Sequence, residues 1–201
     1  MKKEILIMGG GQSAAYAAKE IRSIDSHSNV TIITEESYLP YERPPLSKDY
    51  LLNKIDFQKC LFFSQTFYSE NNIKCIMNEK VVNIDFTKKI LQSNKKNNYN
   101  YDKLLISTGS KNKKLKINGL DSEDDGIIYL RNIKESKAIK DKLHSVSNVV
   151  IIGGGFIGLE IASSANQANK NVTVLERTSQ LMGRVIPEQI SKIIQKIHEN
   201  N

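Results

Sequence analysis

Two glycine-rich turns, Gly9-Gly10-Gly11-Gln12-Ser13-Ala14 and Gly153-Gly154-Gly155-Phe156-Ile157-Gly158, have the residue types and spacing that cradle a dinucleotide pyrophosphate. In such a turn the first glycine makes the bend and the second lets backbone N–H groups reach phosphate. A small third residue, here Ala14 or Gly158, lets helix pack on strand. The positive end of the helix then faces the phosphate charge. A carboxylate that accepts from ribose hydroxyls belongs at the end of the next strand, and Glu35 and Glu176 stand there. One such turn alone is also a plain helix entry. Two, each in full context, favour two dinucleotide sites in one chain.

Positioning these residues requires strand-helix-strand units, and the apolar runs supply them. Ile5-Leu6-Ile7-Met8 and Val149-Val150-Ile151-Ile152 lead into the turns, and Val30-Thr31-Ile32-Ile33 and Val172-Thr173-Val174-Leu175 lead to the acids. The pattern predicts strands over residues 4–8, 30–34, 149–152 and 172–176, with helices over 12–24 and 156–166. On the first helix Ala14, Ala17, Ala18, Ile21 and Ile24 recur at helical spacing and are expected against the sheet. Pro44 and Pro45 exclude a regular helix before Leu46, so a short helix is expected from Ser47. Further strands are expected at 73–76 and 81–85, with a hairpin around residues 93–98 and a buried strand at 104–107. A helix over 132–143 and another from Pro187, with Ile190, Ile193, Ile194 and Ile197 on one face, complete the pattern.

The fold class that follows is α/β, with two Rossmann-like units. Both are expected to be incomplete at the C-terminus; the second lacks the further parallel strand such a unit needs, which leaves an apolar helix face and a sheet edge uncovered. The polar stretch 111–126 is the expected boundary. There Asp121, Glu123, Asp125 and Gly126 imitate a calcium loop, but Asn132 stands where its closing glutamate belongs, and calcium is set aside.

At 201 residues and 39% hydrophobic, the chain suits one or two globular domains. No apolar run approaches the ~18 residues of a membrane span and no leader pattern follows Met1. With two cysteines, Cys60 and Cys75, spaced unlike a metal site, a cytoplasmic location with buried free thiols is expected. The charge of +7 reflects lysine spread through the chain, and no motif supports nucleic-acid binding.

Several segments together resemble the ferredoxin reductases of oxygenase systems, the putidaredoxin, rhodocoxin and rubredoxin reductase type of the pyridine nucleotide-disulphide oxidoreductases. They are Gly9-Gly10-Gly11-Gln12, Arg43-Pro44-Pro45-Leu46-Ser47-Lys48, Tyr101-Asp102-Lys103-Leu104-Leu105-Ile106-Ser107-Thr108-Gly109, Tyr129-Leu130-Arg131, residues 153–160, and Leu181-Met182-Gly183-Arg184. The resemblance implies a glutathione-reductase-like fold, an FAD-binding domain over residues 1–112 and the first part of an NAD(P)H-binding domain over 113–201. The family's chains are about twice as long, so this one is expected to be the N-terminal half of such an enzyme. FAD would lie against Gly9, Gly11 and Ala14, with Glu35 on its ribose, Val81 at its adenine, Arg43 and Arg131 along the nucleotide, and Thr108-Gly109 at the domain exit. The second turn, through Gly153, Gly155, Ile157 and Gly158, would hold the nicotinamide nucleotide, with Arg184 near its adenosine half, and Phe156 would stand at the place of the family's lid residue over the flavin. Lys48 and Glu160 match the pair beside the flavin and form the implied catalytic-site pair. The partner would be a ferredoxin-type iron–sulfur protein or rubredoxin. A carboxylate at Glu176 accepts from both hydroxyls of the NADH ribose and repels the 2′-phosphate of NADPH, so NADH is expected.

Rival readings differ in their cysteines or their length. A disulphide reductase needs a reactive cysteine pair at close spacing, and Pro-Pro-Leu-Ser-Lys stands where that pair would be. The N-terminal module of an NADH-dependent nitrite reductase shares the two-turn plan, and a catalytically silent nucleotide-binding fragment is a third possibility.

Overall fold

The computed structural model describes residues 2–115 and 126–201. They fall into two compact units, Met1–Glu42 with Gln58–Lys111, and Arg43–Phe57 with Asn112–Asn201. The calcium-loop imitation at Asp121, Glu123 and Asp125, and most of the polar stretch around it, lie outside the described residues.

The first unit is built on a parallel four-stranded sheet. β1 (Glu4–Met8) lies between β2 (Asn29–Ile33) and β7 (Lys103–Ile106), and β3 (Ile73–Ile76) flanks β2. Parallel neighbours need a crossover, which α1 (Gln12–Ile24) provides between β1 and β2. The small side chains of Ala14, Ala15 and Ala18 are fully buried, so the helix backbone lies close to Ile7, Val30 and Ile32. Ile24 departs from expectation: it is 85% exposed, and the buried stripe ends at Ile21. Beyond the sheet, β4 (Val81–Asp85), β5 (Ile90–Ser93) and β6 (Asn98–Asn100) form an antiparallel sheet. The buried Glu79 carboxylate ties the β5–β6 turn down, accepting from Tyr99 Oη at 2.8 Å and Asn97 Nδ2 at 2.9 Å.

One helix has no counterpart in the sequence reading, α2 (Gln65–Glu70), capped by Ser64, whose hydroxyl accepts from the Phe67 N–H. Six residues give too few turns to register a helical period, and only the cap marks it. Cys60 is buried and in no disulphide, whereas Cys75 is only partly buried, its thiol pushed up to about 11 by burial.

The second unit contains α3 (Ile133–Ser145), β8 (Asn148–Ile152), α4 (Phe156–Gln167), β9 (Asn171–Leu175) and α5 (Glu188–Glu199), with β8 and β9 parallel. Its core is Leu51, Leu143, Ile161 and Ala165. The other face of the strand pair is open, with Val150, Ile152 and Leu175 more than half exposed, and Ile193 and Ile197 on α5 are also exposed. Arg43–Phe57 belongs to this unit. Here the expected helix from Ser47 is replaced by a 3-10 turn over Pro44–Ser47 that ends where the helix was to begin. The reason is local: the first helical positions need no N–H, so consecutive prolines fit there. Among the described residues no helix is long and apolar enough to cross a membrane.

Candidate functional site

In the first turn Gly9 donates its N–H to Ile33 O at 2.9 Å and has φ +126°, where a side chain is strained. A Cβ there would also stand 2.2 Å from Ser107 O, which puts Ser107-Thr108-Gly109 directly beside the turn. Gly11 is a different case. Its φ of −100° suits any residue, and an added Cβ would meet nothing within 4 Å. Among the described residues nothing in the packing asks for glycine at this position. A ligand that approaches the backbone there would.

The second turn repeats the arrangement. Gly153 has φ +110° and donates to Leu175 O at 2.8 Å, while Gly155, φ −85°, faces open space on its Cβ side. Gly158 serves packing, since a Cβ would meet Gly153 O at 2.0 Å. Gly11 and Gly155 are the N-caps of α1 and α4, and neither helix has a side-chain cap or an acid in its first turn. By contrast, α3 is closed by a capping box in which Asn132 accepts from Glu135 N and Glu135 accepts from Asn132 N. The two glycine-capped helices thus keep uncompensated N–H donors at a positive helix end, and bare backbone beside it, which fits a pyrophosphate.

The acids lie where each unit needs them. Glu35, just beyond β2, is exposed and pairs with Lys80 at 3.2 Å, so the start of β4 at Val81 lies near it. Glu176 is more tightly held. One carboxylate oxygen accepts from Gly154 N at 2.8 Å, and the other from both the N–H and the hydroxyl of Thr178 at 2.8 Å. The Thr178 N–H, then that of Gly154, then the Thr178 hydroxyl hold the carboxyl down to about 2. Glu176 is therefore ionised at neutral pH and latches the strand end to the glycine turn.

Also in the second unit, Lys48 Nζ lies 2.7 Å from Glu160 Oε1. Ser47 Oγ donates to Glu160 Oε2 at 2.5 Å. Two buried serines hold the 3-10 turn from behind, Ser136 donating to Leu46 O at 2.7 Å and Ser164 to Ser47 O at 2.6 Å. A cavity of about 1250 Å³ is lined by Lys48, Phe156 and Glu160, and also by Glu176, Thr178 and Met182. Its volume is ample for a nucleotide.

Arg43 Nη1 donates to Arg131 O at 3.0 Å, so these two expected nucleotide contacts meet within the second unit. Phe156 and Ile157 are more than half exposed at the start of α4, and Arg184 is exposed after β9. Sequence reasoning gave no role to Ser136, Ser164, Lys80 or Thr178. Only Ser164 carried a signal, one helical turn beyond Glu160 on the same face.

The family model described as pyridine nucleotide-disulphide oxidoreductase matches residues 3–201. The chain is 36% identical over 190 residues to the rubredoxin-NAD(+) reductase of Ectopseudomonas oleovorans, covering 94% of this chain and 49% of that protein. Among solved structures, the ferredoxin reductase for the CYP199A2 system of Rhodopseudomonas palustris superposes with TM-score 0.93 at 30% identity, over 99% of this chain and 48% of that one. The covalent putidaredoxin reductase–putidaredoxin complex gives TM-score 0.93 at 26% identity, over 98% of this chain and 48% of the other. The chain spans about half the length of the relatives it matches.

Proposed function

The chain belongs to the pyridine nucleotide-disulphide oxidoreductase family, and from that premise we propose that it supplies the FAD and NADH sites of an enzyme passing electrons from NADH to a ferredoxin-type iron–sulfur protein or rubredoxin. The observation that carries this reading beyond nucleotide binding is the ion pair of Lys48 with Glu160, remote in sequence and joined at 2.7 Å beside a nucleotide-sized cavity. FAD is assigned to the unit with Gly9, Gly11, Ala14, Glu35, Val81 and Thr108-Gly109. NADH is assigned to the unit with Gly153, Gly155, Gly158 and Glu176, with Ile157 and Arg184 around it, and Phe156 is assigned to the lid over the flavin. Arg43 and Arg131 are assigned to the flavin nucleotide. Rubredoxin or ferredoxin as acceptor is supported by the relatives, named for those reactions. A cytoplasmic location is supported by two cysteines that form no disulphide.

When bound, FAD and NADH supply the hydride acceptor and donor, and the protein contributes position and field. The first-turn N–H groups of α1 and α4 bind phosphate charge, and Gly11 and Gly155 let it approach. Glu176 presents an ionised carboxylate, which accepts from ribose hydroxyls and repels a 2′-phosphate. Lys48 holds a positive charge at the cavity wall and Glu160 fixes where that charge sits.

The test is to purify the 201-residue chain with FAD, record the flavin absorbance bands, and add NADH without oxygen. Bound flavin that bleaches with NADH, faster than with NADPH, supports the reading. A protein that takes up neither nucleotide refutes it for this chain, and faster bleaching with NADPH refutes the cofactor assignment.

A further inference from the structure

We infer that Ser47 is a positioning residue for the Lys48–Glu160 pair: its hydroxyl occupies one oxygen of Glu160 so that the other is presented to Lys48. The inference rests on the functional reading of that pair and adds a residue to it. The terminal torsion of a glutamate is soft, and a lysine carries its charge on a flexible four-carbon stem. A pair this exposed, with Lys48 46% and Glu160 29% accessible at the side chain, is weak when left to itself, because water competes and both chains must be ordered. Ser47 removes that freedom from the carboxylate. Its hydroxyl has a single proton and two acceptors in reach, Glu160 Oε2 at 2.5 Å and Pro44 O at 3.3 Å. The short contact to an ionised oxygen is the stronger, so the proton goes to Glu160.

Ser47 can act as an anchor because it is itself immobilised. It is 3% exposed and its carbonyl accepts from Ser164 Oγ at 2.6 Å, while the preceding carbonyl accepts from Ser136 Oγ. Glu160 and Ser164 lie one turn apart on α4, so a single helix face grips the side chain and the carbonyl of the same residue. Lys48 follows directly in the chain. The distance between the ammonium and the carboxylate is thereby set by a rigid three-serine clasp.

The experiment measures the acylation rate of Lys48 in the 201-residue chain by pulse labelling with acetic anhydride and mass spectrometry, with the exposed Lys88 as internal reference. No cofactor is needed. E160Q should raise the relative rate by up to about fivefold, the order expected for losing a partly exposed ion pair. S47A should raise it by a few-fold, S47T should restore it, and S47A in the E160Q background should add nothing. Equal acceleration by S47A in both backgrounds, or none in either, overturns the inference. If S47A fails to fold by circular dichroism, S47C, with similar volume and a weaker donor, takes its place with the same expectations. Failure of the functional reading is a separate result: an FAD-loaded E160Q protein reduced by NADH as fast as the parent would remove the pair's role while leaving the Ser47 coupling intact.

Discussion

Replacing Gly155 by alanine separates binding from folding. At this position φ is −85° and a Cβ would meet nothing within 4 Å, so no clash or strain is expected. Two small terms then compete. Alanine is a poorer N-cap than glycine by about 0.5–1 kcal/mol, while a lower unfolded-state entropy stabilises by about 0.4–1 kcal/mol. They offset, and urea unfolding should place G155A within about 0.5 kcal/mol of the parent. The added methyl nevertheless stands over the open N-terminus of α4, so NADH affinity by calorimetry should fall at least ~10-fold, equivalent to about 1.4 kcal/mol. Gly158 gives the opposite outcome. Helix propensity favours alanine there by about 1 kcal/mol, but the Cβ would stand 2.0 Å from Gly153 O, and a backbone carbonyl cannot yield cheaply. Sterics win, and G158A should lose about 1–3 kcal/mol. A G155A protein that bound NADH normally would refute the ligand argument for this glycine, and a stable G158A would refute the packing argument.

Carboxyls held below their ordinary range set an acid limit of stability. Asp25 is held down to about 2, chiefly by the Ser28 hydroxyl, Glu176 to about 2 by the Thr178 N–H, and Glu79 below its ordinary range by the Ser93 hydroxyl. Folded values below the unfolded ones mean that their contribution is complete above about pH 4.5 and is lost as pH falls toward about 2; circular dichroism against pH should show this, with a shallower slope in E176Q. The same E176Q variant should bind NADPH more nearly as well as NADH, measured by calorimetry, because the ionised oxygen that repels a 2′-phosphate is gone. Glu79→Leu removes the acceptor shared by the buried Ser93 hydroxyl, the partly buried Tyr99 Oη and the exposed Asn97 Nδ2, and should cost about 1–2 kcal/mol in urea unfolding. Asn132→Ala opens the capping box of α3 and should cost about 1 kcal/mol by the same assay, whereas no effect would show that the box is redundant.

Local features were legible in the residues themselves. The two glycine turns, their flanking strands and the acids at Glu35 and Glu176 follow from periodicity and side-chain size, because a βαβ unit is specified by contacts within about thirty residues. The bounds of β1, α1, β3 and β4 follow from the same short-range pattern. The six-residue α2 escaped it for want of length, and the turn at Pro44–Ser47 because the prolines that bar a helix interior are welcome at a helix start. The resemblance implied that Lys48 meets Glu160, but the order of residues could not reveal how the rest of Arg43–Phe57 packs. That segment's partners are Glu160, Ser136 and Ser164, hydroxyl and carboxylate groups on helices far along the sequence, and no local pattern encodes a hydrogen bond between positions so distant. The glycines, the acids and the strands were thus determined by sequence. The clasp that fixes Lys48 against Glu160, and the commitment of Glu176 to Gly154 and Thr178, were decided by tertiary structure, because only folding brings those donors within reach of their acceptors.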